Sequence, residues 1–539
     1  MSKPTAHPQA SLAATPSPRE TASSRALTTA AFIAGALAAA LGIAVAEIVA
    51  GLVAGAPSLV IAIGDLIIEL QPEGAKDLMV ELFGEADKLL LNLVIVAAAM
   101  VIAGALGAFG RRDIRVPMAG FAVAGLVGLG AALRQPLTVP VLAVTTVALA
   151  IGAAIIALRA MLAAIPPAPR LASDPGADAM AQMPDWDRRR FLQIGGGVAV
   201  GSLVLGVVGR NLLDGRPGGA PPDVELPVAV GPAPSVPPGA SLDVPGITPI
   251  VVPNDRFYRI DTALVSPRVD AATWQLTVKG MVDREVVLTY EDLSAMPLFE
   301  QYVTIACVSN EVGGNLVGNA LWTGVDLREV LDMAGVQPGA TQIVGRSVDA
   351  WTAGFPTAWA MDPERRPMIA LGMNHAPLPV DHGYPARLII PGLYGYVSAT
   401  KWLSEIELTT LEAFDAYWVP RGWAKEAPIL TQSRIDVPGN GASLTVGSVA
   451  VAGVAWAPDR AISVVEVSVD DGAWQPAEIS EPLTDAAWVQ WKLAWEAPAG
   501  EHRITVRATD GQGVVQTDER TRPAPDGARG HHSVQVRVT

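Results

Sequence analysis

Cysteine occurs once in these 539 residues, as Cys307, so the chain closes no internal disulfide. The remaining uses of that thiol are inert packing, a reactive nucleophile or a metal-bound thiolate. Histidine is also scarce. Six are present, with none between His7 and His375, which excludes a bis-histidine haem in the apolar first two-fifths of the chain. Aromatic residues make up 5% and charged residues 17%, against 50% hydrophobic residues. The mean hydropathy of +0.35 is too high for a wholly soluble protein. The net charge is −15 and no basic cluster interleaves with aromatics, so nucleic acid is not an expected partner.

The apolar excess lies in runs long enough to cross a bilayer, about 20 residues each, at 26–53, 88–109, 116–133, 137–164 and 191–213. Lys3, Arg19 and Arg25 precede the first run, Arg111, Arg112 and Arg115 follow the second, and Arg170 and Arg188 to Arg190 precede the last. The 54–87 segment is acidic instead. The positive-inside rule then predicts a multi-pass cell-membrane protein, with a cytoplasmic N-terminus and everything after residue 213 outside. The expected division is a cytoplasmic tail 1–25, about four spans within 26–165, a cytoplasmic loop 166–190 and a last span 191–213. Ser58 to Leu70 is too short to span and reads as interfacial or re-entrant. Gly197 and Gly201, four apart, suit close helix packing. Glu47 is the acidic residue of the first run, open both to a functional reading and to snorkelling at the interface. Arg188-Arg189-Arg190-Phe191-Leu192 resembles a twin-arginine export signal, a route for proteins folded around a cofactor before export; the same arginines also serve as a boundary marker.

Residues 214–249 are rich in proline and glycine and read as a semi-extended spacer. A mixed region follows over 250–425. Strands are predicted at 274–278, 286–288 and 387–390, a short helix capped by Thr289, and a helix over 326–334 closed by Gly335. From 426 to 539 the pattern is all strand. Short β-branched runs at 443–446, 449–454, 462–469, 488–495 and 502–508 predict an immunoglobulin-like sandwich.

Several blocks then carry a resemblance. Cys307-Val308-Ser309-Asn310, Leu321-Trp322-Thr323-Gly324-Val325-Asp326-Leu327, the run Asp381 to Gly395 and Lys401-Trp402 are similar, in order and spacing, to the sulfite-oxidase-type molybdopterin oxidoreductases. The resemblance covers residues from about 250 to the end and leaves out the apolar region. Added to the α-helical transmembrane region read from the apolar runs, it implies a multi-domain chain that continues with an α+β molybdopterin domain, then an immunoglobulin-like dimerisation domain and a homodimer through it. It implies a molybdenum-molybdopterin cofactor with Cys307 as the metal thiolate, deprotonated when bound. Asn254, Phe257 and Tyr258 match a cofactor-contacting segment. His382 and Arg387 match positions that hold the pterin phosphate, where an arginine fork suits phosphate oxygens. Ser398 and Thr400 are implied as supplementary phosphate contacts, Ser347 and Asp349 as a further pterin contact, and Lys401 as a phosphate ligand displaced by one residue from the family spacing.

Departures from the family matter as much. Arginines that make a cationic oxyanion pocket are replaced by Glu311 and Val397, and a carboxylate there opposes a dianion by about 4 kcal/mol per close pair. The expected activity is therefore oxygen-atom transfer to or from a small substrate other than sulfite, with Glu311 as a candidate proton or substrate partner and an unidentified electron-transfer partner. A sulfoxide reductase of the same family and a non-catalytic, membrane-tethered binding or assembly module are the alternatives. A zinc or copper site from Cys307, His375 and His382 is a further possibility.

Overall fold

The computed structural model describes residues 18–71, 87–165, 188–214 and 226–539. Tail residues 1–17, the stretch 72–86, most of the expected 166–190 loop and linker residues 215–225 lie outside the described residues. The chain divides into two compact units, Met1–Arg216 and Pro217–Thr539.

The first unit is helical: α1 (Pro18–Leu52), α2 (Leu59–Leu70), α3 (Asp87–Gly110), α4 (Arg115–Leu133), α5 (Pro140–Leu162) and α6 (Arg188–Asp214). Five of these, all but α2, are long and apolar enough to cross a membrane. Helix α1 is the hub, and glycine is what lets its backbone meet its neighbours. A Cβ on Gly35 would stand 2.0 Å from the Ala103 carbonyl oxygen of α3, and one on Gly107 2.4 Å from that of Ala31. Gly51 and Gly209 bring α1 and α6 together in the same way, a Cβ on Gly51 falling 2.6 Å from Gly209 O. Gly197 and Gly201 are small residues of an alanine- and glycine-rich span and not a crossing: among the described residues a Cβ on either would meet nothing within 4 Å. Glu47 does not snorkel. It is buried, and its Oε1 accepts a 2.6 Å hydrogen bond from Ser58 Oγ, which in turn accepts from Ile61 N as the N-cap of α2. Ser58 to Leu70 is thus a capped helix, with Ala62 packed among Ala131, Ala132 and Ala143.

The second unit contains four sheets. One runs in the order β2 (Val286–Thr289), β1 (Gln275–Gly280), β10 (Leu403–Thr409), β5 (Gln342–Ser347), β6 (Thr352–Pro356). A second runs β3 (Leu298–Ala306), β4 (Val317–Asp326), β7 (Met368–Met373), β8 (Ala376–Pro377), with β9 (Arg387–Ile389) also on β7. The predicted short helices are present. Tyr290–Ala295 has a full capping box between Thr289 and Asp292, and Leu327–Ala334 starts on Asp326 and ends at Gly335 in the left-handed region.

Beyond residue 426, β11 (Gln432–Val437), β13 (Gly447–Trp456), β17 (Val489–Ala497) and β16 (Glu478–Ile479) form one sheet. The other is β12 (Ala442–Leu444), β19 (His532–Val538), β18 (Gly500–Asp510), β14 (Ile462–Val469) and β15 (Gln475–Pro476). Val451 and Trp491 of the first sheet share a core with Val465, Ile504 and Val536 of the second. Residue 426 is not a break in packing, however. Val454, Trp456 and Trp488 belong to the same core as Val303, Trp322 and Leu388. The described part of the linker is no free spacer either. Val230 N and Gly231 N donate to Leu298 O, and Leu242 N donates to Gln490 Oε1. These bonds satisfy backbone donors that a free spacer would leave to water.

Candidate functional site

Cys307 caps the β3–β4 hairpin. The register pairs Ala306 with Val317, and Cys307 N extends the ladder by donating to Leu316 O at 2.9 Å. The connection is folded on itself, with Asn310 N donating to Cys307 O and Asn310 Oδ1 accepting from Leu316 N at 2.8 Å. Sγ of Cys307 is 2.9 Å from Ser309 Oγ.

Strand β9 pairs Arg387 with Ala370 of β7, two strands from the cysteine hairpin. The Arg387 guanidinium is buried and lies over the Trp322 ring, 4.9 Å from its centroid. Its Nη1 donates to His382 O at 3.1 Å, whereas among the described residues Nε has no hydrogen-bond partner and no carboxylate faces the group. Burial lowers its pKa to about 10, with Tyr258 opposing the fall. Tyr258 is held well above the ordinary phenol value by burial and then by Cys307, which places phenol, thiol and guanidinium in one neighbourhood. Tyr394 is pushed up to about 12, by burial first, and Cys307 adds to the rise.

His382 is buried edge-on to Phe257, and its Nε2 lies 2.9 Å from Asn254 O. Burial, then the nearby Arg387 and Lys401 charges, outweigh that bond and bring its pKa down to about 4. Phe257 stacks on Tyr258 and meets Trp322 edge-on; it fits because Gly318 has no Cβ, which would lie 2.7 Å from the ring. Asn254 is committed to the scaffold, accepting from Asn374 Nδ2 and donating to Met373 O.

Asn254, Phe257, Tyr258, Cys307, His382 and Arg387 therefore come together. Lys401 lies beside them, but its Nζ is engaged by Asp261 Oδ2 at 2.8 Å and Asp381 O at 3.0 Å. Burial brings its pKa down to about 8 against the pull of Asp261. Ser398 Oγ donates within its own turn to Tyr394 O at 3.0 Å. Thr400 Oγ1 is fully buried against Gly345 without a partner. Ser347 and Asp349 form the β5–β6 turn, with Asp349 Oδ1 accepting from Trp351 N, and the turn is tied to this region by Val348 N donating to Trp402 O. Glu311 is exposed, while Val397 is buried at 1% exposure, so of the two only Glu311 is open to a solute. His375 is exposed beside Glu300, and among the described residues no three His, Cys, Asp or Glu side chains are arranged to hold a metal. The zinc arrangement is not assembled.

Sequence reasoning missed Asp261, Tyr394, Arg434 and His532. Arg434 Nη1 donates to Gly314 O at 2.8 Å, and a Cβ on Gly313 would stand 2.2 Å from His532 Cδ2. The adjacent glycines were the legible signal for a close approach there.

A buried guanidinium with an orphaned Nε thus shares a neighbourhood with a thiol presented on a hairpin. Residues 263–418 match the family described as oxidoreductase molybdopterin binding domain, and residues 426–526 the Mo-co oxidoreductase dimerisation domain. Residues 263–526 thus carry the two domains of a sulfite-oxidase-type molybdopterin-dependent oxidoreductase. Mitochondrial sulfite oxidase of Homo sapiens is 31% identical over 316 residues, covering 50% of this chain and 57% of the relative. Nitrate reductase [NADH] 1 of Oryza sativa subsp. japonica is 34% identical over 177 residues, 28% of this chain and 19% of the relative. Among solved structures, sulfane dehydrogenase SoxCD from Paracoccus pantotrophus is 23% identical with a TM-score of 0.47, covering 56% of this chain and 86% of that one. The chain thus spans little more than half the length of the mitochondrial sulfite oxidases it resembles.

Proposed function

We propose that the chain is a membrane-anchored, extracytoplasmic molybdenum-cofactor oxidoreductase that transfers an oxygen atom to or from a small neutral or cationic substrate. The observation that carries this reading is Arg387: buried, free of any carboxylate and orphaned at Nε, it fits the phosphate end of an anionic pterin. His382 and Arg387 would hold that phosphate, Phe257 and Tyr258 would line the pterin, and Cys307 would supply the metal thiolate. When bound, the group supplies a two-electron oxygen-transfer centre. This chain's own residues hold and orient it: the hairpin fixes Cys307, and Trp322 and Phe257 exclude water from Arg387 and His382.

The exposed carboxylate of Glu311, four residues after Cys307, supports a substrate other than sulfite. Five apolar helices with basic flanks support membrane anchoring with the N-terminus in the cytoplasm. The two-sheet module after residue 426 supports an immunoglobulin-like sandwich serving homodimerisation, and an electron-transfer partner completes turnover.

Purification from membranes followed by metal and pterin analysis tests the cofactor. About one molybdenum per chain is expected, and none in correctly exported protein would favour the binding-module reading. Efficient sulfite oxidation by the unmodified protein would overturn the substrate assignment. A reporter fused after Thr539 should be active only outside the cytoplasm; activity inside would overturn the topology.

A further inference from the structure

The β-rich module grips the cysteine hairpin on both sides of Cys307. Upstream, Thr304 N donates to Ala486 O at 2.9 Å, Trp488 N donates to Thr304 Oγ1 at 2.8 Å, and Thr484 Oγ1 donates to Tyr302 O at 2.7 Å. Trp488 also donates from its indole to Ile250 O, which accepts from Asn319 of β4 as well. Downstream, the buried Arg434 places one bond from each guanidinium nitrogen on a separate point: Asp436 Oδ1 at 2.7 Å, Thr248 Oγ1 at 2.8 Å and Gly314 O at 2.8 Å. The fork is rigid, so with two of its nitrogens anchored the third fixes where the Gly314 carbonyl sits. His532, held by Ile435 N donating to its Nδ1 at 3.0 Å, presents its ring edge to Gly313, whose φ of +82° and missing Cβ admit it.

The bonds to Tyr302, Thr304 and Gly314 cross 120 or more residues of chain, and of the far residues Arg434 and His532 reach the ten-residue segment 307–316 that carries the thiol. The Gly314 carbonyl is thus held by a guanidinium that is itself buried and paired with Asp436. We propose that Arg434 and His532 are positioning residues: they lock the 309–316 turn and so aim Cys307 Sγ, which makes the module after residue 426 part of the metal site and not only a dimerisation element. This rests on the cofactor reading for its effect on turnover, although the lock itself does not.

The test uses the full chain with Arg434→Gln. Molybdenum and pterin content should stay at the wild-type level, because the phosphate-holding residues are elsewhere. Turnover should fall about 10–100-fold, the usual cost of removing support from a metal ligand, through kcat with KM moved less than about twofold. Amide hydrogen exchange over 309–316 should accelerate at least about tenfold. Arg434→Lys, which keeps one donor, should fall between. Wild-type kcat and unchanged exchange in a folded Arg434→Gln protein would overturn the proposal. If the wild type carries no molybdenum, the cofactor reading fails and the exchange arm still decides the lock. If Arg434→Gln does not fold, the pair Gly313→Ala and Gly313→Ala/His532→Ala decides. The single change should lose activity and loosen the turn, and removing the ring should restore part of both; no restoration overturns the contact.

Discussion

In the helical unit, Gly35, Gly107, Gly51 and Gly209 remove side chains so that backbone touches backbone. In the second unit, Gly313 and Gly318 remove them so that the rings of His532 and Phe257 fit against the cysteine hairpin. The first use needs only a small residue at the crossing, and alanine-rich neighbours such as Ala31, Ala34 and Ala38 complete it. The second needs one named partner, brought from another part of the chain, in one orientation. Packing without chemistry tolerates exchange along a stripe, whereas packing that aims a reactive atom does not.

The sharpest way to break that contrast is Cys307→Ser. Turnover should drop below detection with export and folding retained, since a hard hydroxyl poorly replaces a soft thiolate ligand. Residual wild-type activity in a kinetic assay would remove Cys307 from the site.

Arg387→Met should come next. Pterin content should fall at least about tenfold, because a charged hydrogen-bond donor to phosphate is worth about 1.5–3 kcal/mol per bond. The cofactor-free protein should be as stable as wild type or more so, since the buried guanidinium has no carboxylate to lose. A strongly destabilised cofactor-free variant, measured by chemical unfolding, would show that the arginine is structural.

On the helical side, Gly35→Leu should lower stability in detergent by about 1–3 kcal/mol, as overpacking does, because a Cβ there meets the Ala103 carbonyl at 2.0 Å. Gly197→Leu, with nothing within 4 Å, should leave the thermal midpoint unchanged. Equal losses would mean that glycine spacing alone, and not the crossing, governs this unit.

A last effect is one of pH on the cofactor-free protein. His382 is pushed down to about 4 from its ordinary value of about 6.5. Between those values the unfolded chain takes up a proton that the folded one refuses, so stability falls as pH drops from about 6.5 to 4 and levels off below. The full loss is on the order of 3 kcal/mol. His532, also brought down to about 4 by burial and by Arg434, acts with the same sign, so His382→Gln should remove only part of the slope in unfolding curves at pH 7 and pH 4.5. An unchanged slope would mean that His382 is not shielded.

Much of this was legible from local signals. The five long helices follow from runs of apolar residues, and the capped helices at 290–295 and 327–334 follow from Thr289, Asp326 and Gly335, because each depends on neighbours within a few positions. The meeting of Cys307, His382 and Arg387 was legible through motif order. The engagement of Lys401 by Asp261 was not, since a hydrogen-bond partner 140 residues away leaves no mark in either local segment.

Composition and period by themselves determined that an apolar helical region precedes a strand-rich one, because hydrophobic burial and backbone hydrogen bonding are written in local pattern. They also singled out the one cysteine. Only the tertiary structure decided that Arg387 is buried without a counter-charge, that Gly35 rather than Gly197 bears a helix crossing, and that Arg434 and His532 reach the cysteine turn. Those are facts about which distant groups displace water from one another, and the cost or gain of a buried charge, a missing methyl or a shared carbonyl exists only once the fold has brought them into contact.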